Sequence, residues 1–208
     1  PRRRPGLGAP IAGPGLAGSQ ATRPKTWSVA TVNVTAWQSL LVELEAGKLK
    51  GTDAVLIQEH RLRSEQLDAA RKAADRCGWK LDLTPCNVTA MGGSSAGVGV
   101  MVRKQHGLHR LEVSHDAVHV PFTYRSGVWI TSGGCIGGCL LIPLYLHTGF
   151  EDGPCNMNIL HSIGGVLRAS FKPYVIGADW QMEPATLEAT GWLGAVNGMV
   201  CKAARPTC

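Results

Sequence analysis

The chain has 208 residues, 44% of them apolar and 17% charged, which excludes a disordered or broadly membrane-embedded protein and fits one domain with a sizeable core. Its formal charge of +6 is concentrated at one end. Residues 1–25 hold five basic groups (Arg2, Arg3, Arg4, Arg23 and Lys25) and no acid, leaving 16 basic against 15 acidic side chains from residue 26 onward, so a strongly basic folded surface is not implied.

The first 25 residues are rich in Gly, Pro and Ala and read as a disordered lead-in to a folded domain over 26–208. No continuous apolar segment follows the Arg cluster, so this is not a signal peptide. An Arg run of this kind is most often a solvated end, with non-specific phosphate contact as the alternative. The chain does not begin with Met, which reads as a processed chain or a fragment.

In chain order, Trp27–Asn33 alternates as a strand, and Ala36–Leu49 has helical spacing in Trp37, Leu40, Leu41 and Leu44, with Gly51 as the stop. Ala54–Ile57 is an uninterrupted apolar run that predicts a strand buried on both faces, halting at Gln58, Glu59 and His60. Such a strand either ends in solvent, where Glu is ordinary, or delivers a carboxylate to the rim of a sheet. Ser64–Cys77 reads as an amphipathic helix capped by Ser64 and ended by Gly78. Trp79–Thr84 and Gly97–Arg103 are strands separated by a Gly/Ser loop at Met91–Ala96.

Ser126–Phe150 holds no Asp, Glu, Lys or Arg and is long enough to span a bilayer, but it is interrupted by glycines and Pro143. Two interior strands, Gly127–Thr131 and Cys139–Leu146, joined by a Gly-rich turn account for it better, so no membrane association is expected. A helix over Asn156–Phe171, a buried strand at Pro173–Ile176 and a short helix over Pro184–Thr190 complete a mixed-sheet α/β pattern. Seven cysteines without a Cys-x-x-Cys pair point to free thiols and a reducing, intracellular setting, nuclear or cytosolic and not secreted. Cys135 and Cys139 read as small thiols in an apolar setting, and the tryptophans 27, 37, 79, 129 and 192 as packing residues. His115, His119, His147 and His161 are scattered and read as surface or hydrogen-bonded, with His147 notable for following a strand end.

Three apolar strands end in polar groups: Asn33, Glu59, and Asp179 within Gly177-Ala178-Asp179-Trp180-Gln181. If those strands are neighbours, an amide and two carboxylates share one edge. Oxygen donors of that kind suit a hard divalent cation and phosphodiester hydrolysis.

These residues resemble the endonuclease/exonuclease/phosphatase superfamily, which includes apurinic-site endonucleases, DNase I and the endonuclease domains of non-LTR retroelements. Val29–Val34 resembles its first motif, a strand ending in Asn, and Ile57-Gln58-Glu59 its Gln-Glu motif. Ala96–Met101 resembles its Gly-rich strand, and Leu144-Tyr145-Leu146 the strand that carries a Tyr near the phosphate. The Gly177–Gln181 segment resembles its Gly-Asp-Phe-Asn motif, with Trp180 in place of Phe, packed under Asp179, and Gln181 in place of Asn. The five elements stand in the family's order over about residues 27–190.

The resemblance implies an α/β, DNase I-like sandwich of two mixed sheets flanked by helices, with the last strands missing. It implies a phosphodiester hydrolase, most readily a nuclease, that uses Mg²⁺ (or Mn²⁺) on Glu59. Asp179 would position or deprotonate the attacking water, and Asn33, Tyr145 and Gln181 would contact the phosphate. Nucleic acid is the implied substrate, DNA ahead of RNA, with inositol phosphates and sphingomyelin not separated by sequence; oligomeric state is left open. The family's C-terminal Asp and Ser-Asp-His motif have no counterpart, since residues 182–208 contain neither Asp nor His. A C-terminally truncated chain is therefore expected, and a catalytically dead remnant or binding domain is the alternative function. With that motif gone, the expected groups for neutralising phosphate charge are Asn33, Tyr145 and Gln181, all uncharged.

Overall fold

The computed structural model describes residues 26–111, 124–150 and 152–201. The basic tail, His115 and His119 lie outside the described residues. Ten strands and five helices follow in order: β1 (Val29–Asn33), α1 (Trp37–Glu45), β2 (Ala54–Gln58), α2 (Leu67–Arg76), β3 (Trp79–Leu83), β4 (Asn87–Val88), β5 (Ser94–Ser95), β6 (Val98–Arg103), β7 (Leu108–Arg110), β8 (Trp129–Thr131), β9 (Cys139–Tyr145), α3 (Pro154–Ser170), β10 (Tyr174–Asp179), α4 (Pro184–Ala189) and α5 (Trp192–Ala195).

The strands form two four-stranded mixed sheets, β1-β2-β6-β3 and β10-β9-β8-β7, with β4 and β5 as a separate short hairpin. In each sheet one parallel pair is joined by a crossover helix. In the first, β1 pairs with β2 across α1; in the second, β9 pairs with β10 across α3. The two sheets stack face to face. Ala54, Leu56, Val98, Val100 and Val102 of the first sheet pack on Trp129 and Leu141 of the second. The opposite faces are covered by helices: Val55, Ile57 and Met101 meet Trp37, Leu40, Ala70 and Ala74, while Leu140, Ile142 and Leu144 meet Leu160, Ile163, Leu187 and Trp192. Successive side chains of β2 thus enter two different cores, which is why its apolar run shows no alternation.

Close approach of the sheets depends on Gly177. A Cβ there would lie 2.6 Å from the Thr31 hydroxyl oxygen and 2.9 Å from the Leu56 Cβ. Next to it, the buried Gln58 amide donates from Nε2 to the Gly177 carbonyl at 2.8 Å, while its Oε1 accepts from the Thr31 hydroxyl at 3.2 Å. One side chain therefore ties β1 and β2 to β10.

Several local expectations are corrected. The helix expected at Ala36–Leu49 stops at Glu45, and the chain runs through turns to Gly51. Ser64 does not cap α2. A 3₁₀ turn over Ser64–Gln66 precedes it, and the Arg63 N–H donates to the Gln66 side chain at 2.8 Å. The Gln66 N–H donates back to the Arg63 carbonyl at 3.0 Å, so these residues close a 3₁₀ turn and the α-helix begins at Leu67. The strand expected to end at Ile176 runs on to Asp179, since its pairing with β9 continues to Tyr145. Strand β2 likewise extends one residue past its apolar run, to Gln58, which is 1% exposed.

Of the tryptophans, Trp37, Trp79, Trp129 and Trp192 are buried and Trp27 is half-buried. The six described cysteines are free, with Cys86 and Cys139 buried. No helix among the described residues is long and apolar enough to cross a membrane.

Candidate active site

The parallel pairs deliver their C-terminal ends to one rim. Register places Asn33 beside Gln58 in the first sheet and Asp179 beside Tyr145 in the second. Across the sandwich, the Asn33 Nδ2 donates to Asp179 Oδ2 at 2.8 Å. The Asn33 Oδ1 in turn accepts from the Thr35 N–H at 3.3 Å. Asp179 is thereby oriented by a strand of the opposite sheet.

Beyond β2 the chain keeps an alternation that sorts polar groups by depth. Gln58 points in and bolts the sheets together. Glu59 points to the rim, 14% exposed. His60 points in again, 1% exposed. Its Nδ1 accepts from the Leu62 N–H at 3.0 Å, which leaves Nε2 to donate to the Thr84 carbonyl at 2.9 Å. Burial lowers the His60 pKa to about 4, so the ring is neutral and structural. Arg61 points to the rim and forms a salt bridge from Nη2 to Glu59 Oε1.

Both rim residues sit in the left-handed region, Glu59 at φ 62° and Arg61 at φ 58°. Thr35 (φ 54°) and Gln181 (φ 52°), which follow the other two strand ends, do the same. Four non-glycine residues in this conformation around one rim cost energy, and the surrounding contacts must hold them. Around Glu59 and Arg61 they do: the His60 and Arg61 N–H groups donate to the Gly97 and Ala96 carbonyls at 3.3 and 3.1 Å, and the Trp37 N–H donates to the His60 carbonyl at 3.0 Å.

Tyr145 links the two halves electrically. Its pKa is raised, first by burial and then by the nearby Glu59 and Asp179 carboxylates, while Arg125 and Arg61 oppose the shift. The phenol stays protonated and can donate a hydrogen bond. Arg125 lies 5.2 Å from the Tyr145 ring centroid and 5.2 Å from that of Tyr124, and donates to the Tyr145 and Leu146 carbonyls at 3.4 and 3.3 Å. His147 follows on the same loop. The buried Asn156 of α3 clamps its backbone, accepting from its N–H at 2.7 Å and donating to its carbonyl at 3.1 Å. The His147 pKa is lowered by burial and by Arg125. Trp180 packs against the α3–α5 core, and Gln181 is half-buried directly after it.

The rim therefore gathers Asn33, Glu59, Tyr145 and Asp179, with Gln181 two residues beyond Asp179. Beside the uncharged Asn33, Tyr145 and Gln181 expected to face a phosphate, the structure brings two guanidiniums, Arg61 and Arg125, close to the Tyr145 hydroxyl. Basic residues in loops carry no sequence pattern that would have marked them.

A divalent cation would find two carboxylates, Glu59 and Asp179, with Asn33 already engaged on the latter. Among the described residues no group of three or more His, Cys, Asp or Glu is gathered for a metal. This donor set suits an ion held by one or two carboxylates, with water and substrate oxygens completing the shell, as Mg²⁺ commonly is.

No family model matches the sequence, and no curated protein matches it either. Solved structures do match in fold. ANGEL2, a 2',3'-cyclic phosphatase, in complex with adenosine-2',3'-vanadate, superposes with a TM-score of 0.53 at 12% identity, over 76% of this chain and 54% of that one. The AP endonuclease LMAP from Leishmania major superposes with a TM-score of 0.53 at 13% identity, over 74% of this chain and 54% of that one. The matches cover about half the length of each of those structures. Both belong to the endonuclease/exonuclease/phosphatase superfamily, and the fold of this chain is the DNase I-like fold that they share.

Proposed function

We propose that this chain is a divalent-metal-dependent phosphodiester hydrolase acting on nucleic acid, with DNA ahead of RNA. The observation that carries the reading is the Asn33–Asp179 hydrogen bond across the two sheets at 2.8 Å, beside a Tyr145 whose hydroxyl feels both Asp179 and Glu59. A carboxylate oriented by a fixed amide is poised to hold a water. A protonated phenol and a guanidinium alongside it suit a phosphate. The DNase I-like fold supports the reaction class, because a 2',3'-cyclic phosphatase and an AP endonuclease both handle phosphoesters.

Each side chain then has one task. Asn33 holds the Asp179 carboxylate by donating to Oδ2 and leaves Oδ1 to face the rim. Asp179 accepts a proton from water as the water oxygen bonds to phosphorus, the bond from phosphorus to the leaving oxygen breaks with its electron pair, and that oxygen takes up a proton from solvent to leave as an alcohol. Tyr145 donates its O–H to a non-bridging phosphate oxygen, and the Gln181 amide does the same from the next turn. Glu59 would hold Mg²⁺ or Mn²⁺. When bound, such an ion polarises a phosphoryl oxygen and offsets the charge that develops there.

The test is cleavage of supercoiled plasmid and of a labelled RNA oligonucleotide with Mg²⁺ or Mn²⁺. Cleavage that disappears in Glu59→Ala and in Asp179→Asn supports the reading, and the preferred substrate identifies the nucleic acid. Equal behaviour of wild type and both variants on both substrates rejects it in favour of a non-catalytic domain that keeps the fold.

A further inference from the structure

We infer that Arg61 is the phosphate-binding cation of this site, held on Glu59 until a divalent ion takes over that carboxylate; the inference rests on the hydrolase reading and deepens it.

The first support is how the residue is built into the chain. Buried Gln58 and His60 are anchored to Gly177 and Thr84, so Glu59 and Arg61 between and after them have no choice but to face the rim together. Arg61 holds a left-handed φ of 58°, a conformation that an ordinary surface arginine has no reason to adopt. Its backbone N–H is fixed to the Ala96 carbonyl at 3.1 Å, so the strain is held in place while the side chain stays 43% exposed.

The second support is the charge pattern of the rim. Two carboxylates, Glu59 and Asp179, and two guanidiniums, Arg61 and Arg125, all act on the Tyr145 hydroxyl. Arg125 is committed to the Tyr124 and Tyr145 rings and to two backbone carbonyls. Arg61 is paired with Glu59, the carboxylate to which the proposed function gives the metal. A divalent ion on Glu59 replaces the guanidinium as that carboxylate's counter-charge and repels it. The group then needs another anion, and an incoming phosphate offers two oxygens that match its planar fork. The same side chain thus competes with the ion before substrate arrives and assists it afterwards. A simple surface ion pair would compete with the ion in the same way but would not assist the phosphate, so the dinucleotide titration is the arm that separates the two.

The two roles predict opposite shifts from one substitution, which calorimetry can read without turnover. Mn²⁺ is titrated into wild type, Arg61→Ala, Arg61→Lys and Glu59→Gln. A phosphorothioate-linked dinucleotide is then titrated in the presence of saturating Mn²⁺. Arg61→Ala should bind Mn²⁺ about threefold more tightly than wild type, because an exposed competing pair is removed. It should bind the dinucleotide about tenfold more weakly, the loss expected for a charge-assisted hydrogen bond. Arg61→Lys should fall between, and Glu59→Gln should lose Mn²⁺ binding. Arg61→Gly, which suits the left-handed backbone, repeats the test if the alanine variant does not fold. Unchanged Mn²⁺ affinity, or unchanged dinucleotide affinity, in the Arg61 variants overturns the inference. If those affinities shift as stated while no nucleic acid is cleaved by wild type, the hydrolase reading fails and the assignment of Arg61 stands. Cleavage that needs Glu59, with both affinities indifferent to Arg61, has the reverse meaning.

Discussion

Gln58 and Gly177 are 119 residues apart in the chain and joined by a single 2.8 Å hydrogen bond in the interior of the sandwich. That bond connects the residue before Glu59 to the strand that ends in Asp179. The relative height of the two carboxylates is set there, beneath the rim and out of reach of solvent. Gln58→Leu keeps the volume but leaves the Gly177 carbonyl and the Thr31 hydroxyl without their partner. It should lower unfolding free energy by about 1–3 kcal/mol, the usual cost of an orphaned buried polar group. Urea unfolding followed by tryptophan fluorescence would measure it, and a shift in midpoint within error would show the bond to be incidental.

Gly177→Ala should also destabilise, by an independent route. Its Cβ would come within 2.6 Å of Thr31 Oγ1 and 2.9 Å of Leu56 Cβ, so the sheets must part. About 1–3 kcal/mol is expected for overpacking of this kind. Because both neighbours lie in β1 and β2, the separation should carry Asn33 away from Asp179. A drop in any metal-dependent activity should accompany the loss of stability in the same variant.

His60 predicts a defined pH response. Its folded pKa is lowered by burial to about 4 from 6.5. Between those values the unfolded chain takes up a proton that the folded one refuses. Stability is therefore fully present above about pH 6.5 and lost as pH falls toward 4, up to about 3 kcal/mol from this one group. His60→Gln should be less stable than wild type at neutral pH, and the gap should narrow toward about pH 5. A gap that stays constant or widens in acid would show that His60 does not enter the folded state neutral.

Asn33→Ala should separate orientation from binding. Asp179 keeps its charge but loses the donor at 2.8 Å. Hydrolysis should fall by about tenfold to a hundredfold, the scale of a misplaced catalytic group, while Mn²⁺ affinity through Glu59 changes little. Loss of Mn²⁺ binding in Asn33→Ala would place Asn33 among the ligands instead.

Much of this arrangement can be read from the chain alone, for a physical reason. The run at Ala54–Ile57 is apolar because sheet and helices bury both faces, and the run at Tyr174–Ile176, expected to be buried, is half-buried on an edge strand, so the polar residues that end both stand out. The same logic hides Gln58 and His60. They are polar residues that continue the buried run, and their partners at Gly177 and Thr84 are unrelated in sequence. Pairing of β4 with β5, two residues each, leaves no periodicity to find. Arg61 and Arg125 are legible only when the loops that carry them are seen to meet at one rim. The start of α2 is hidden because Ser64 has the composition of a cap, whereas a 3₁₀ turn closed by the Gln66 side chain precedes the helix and α2 itself has no side-chain cap.

The in-and-out order of Gln58, Glu59, His60 and Arg61 restricts how this segment can change over generations. Substitutions at the two outward positions leave the anchors untouched, so the chemistry of the rim can drift one residue at a time. Insertion or deletion of a single residue between Gln58 and His60 is different in kind. It would turn an anchor toward water and send an ionised group into the space that the His60 ring now fills, beside Gly97, where its Cε1 stands 2.7 Å from the site of a Cβ. The segment should therefore vary in composition among descendants of this chain while its length stays fixed.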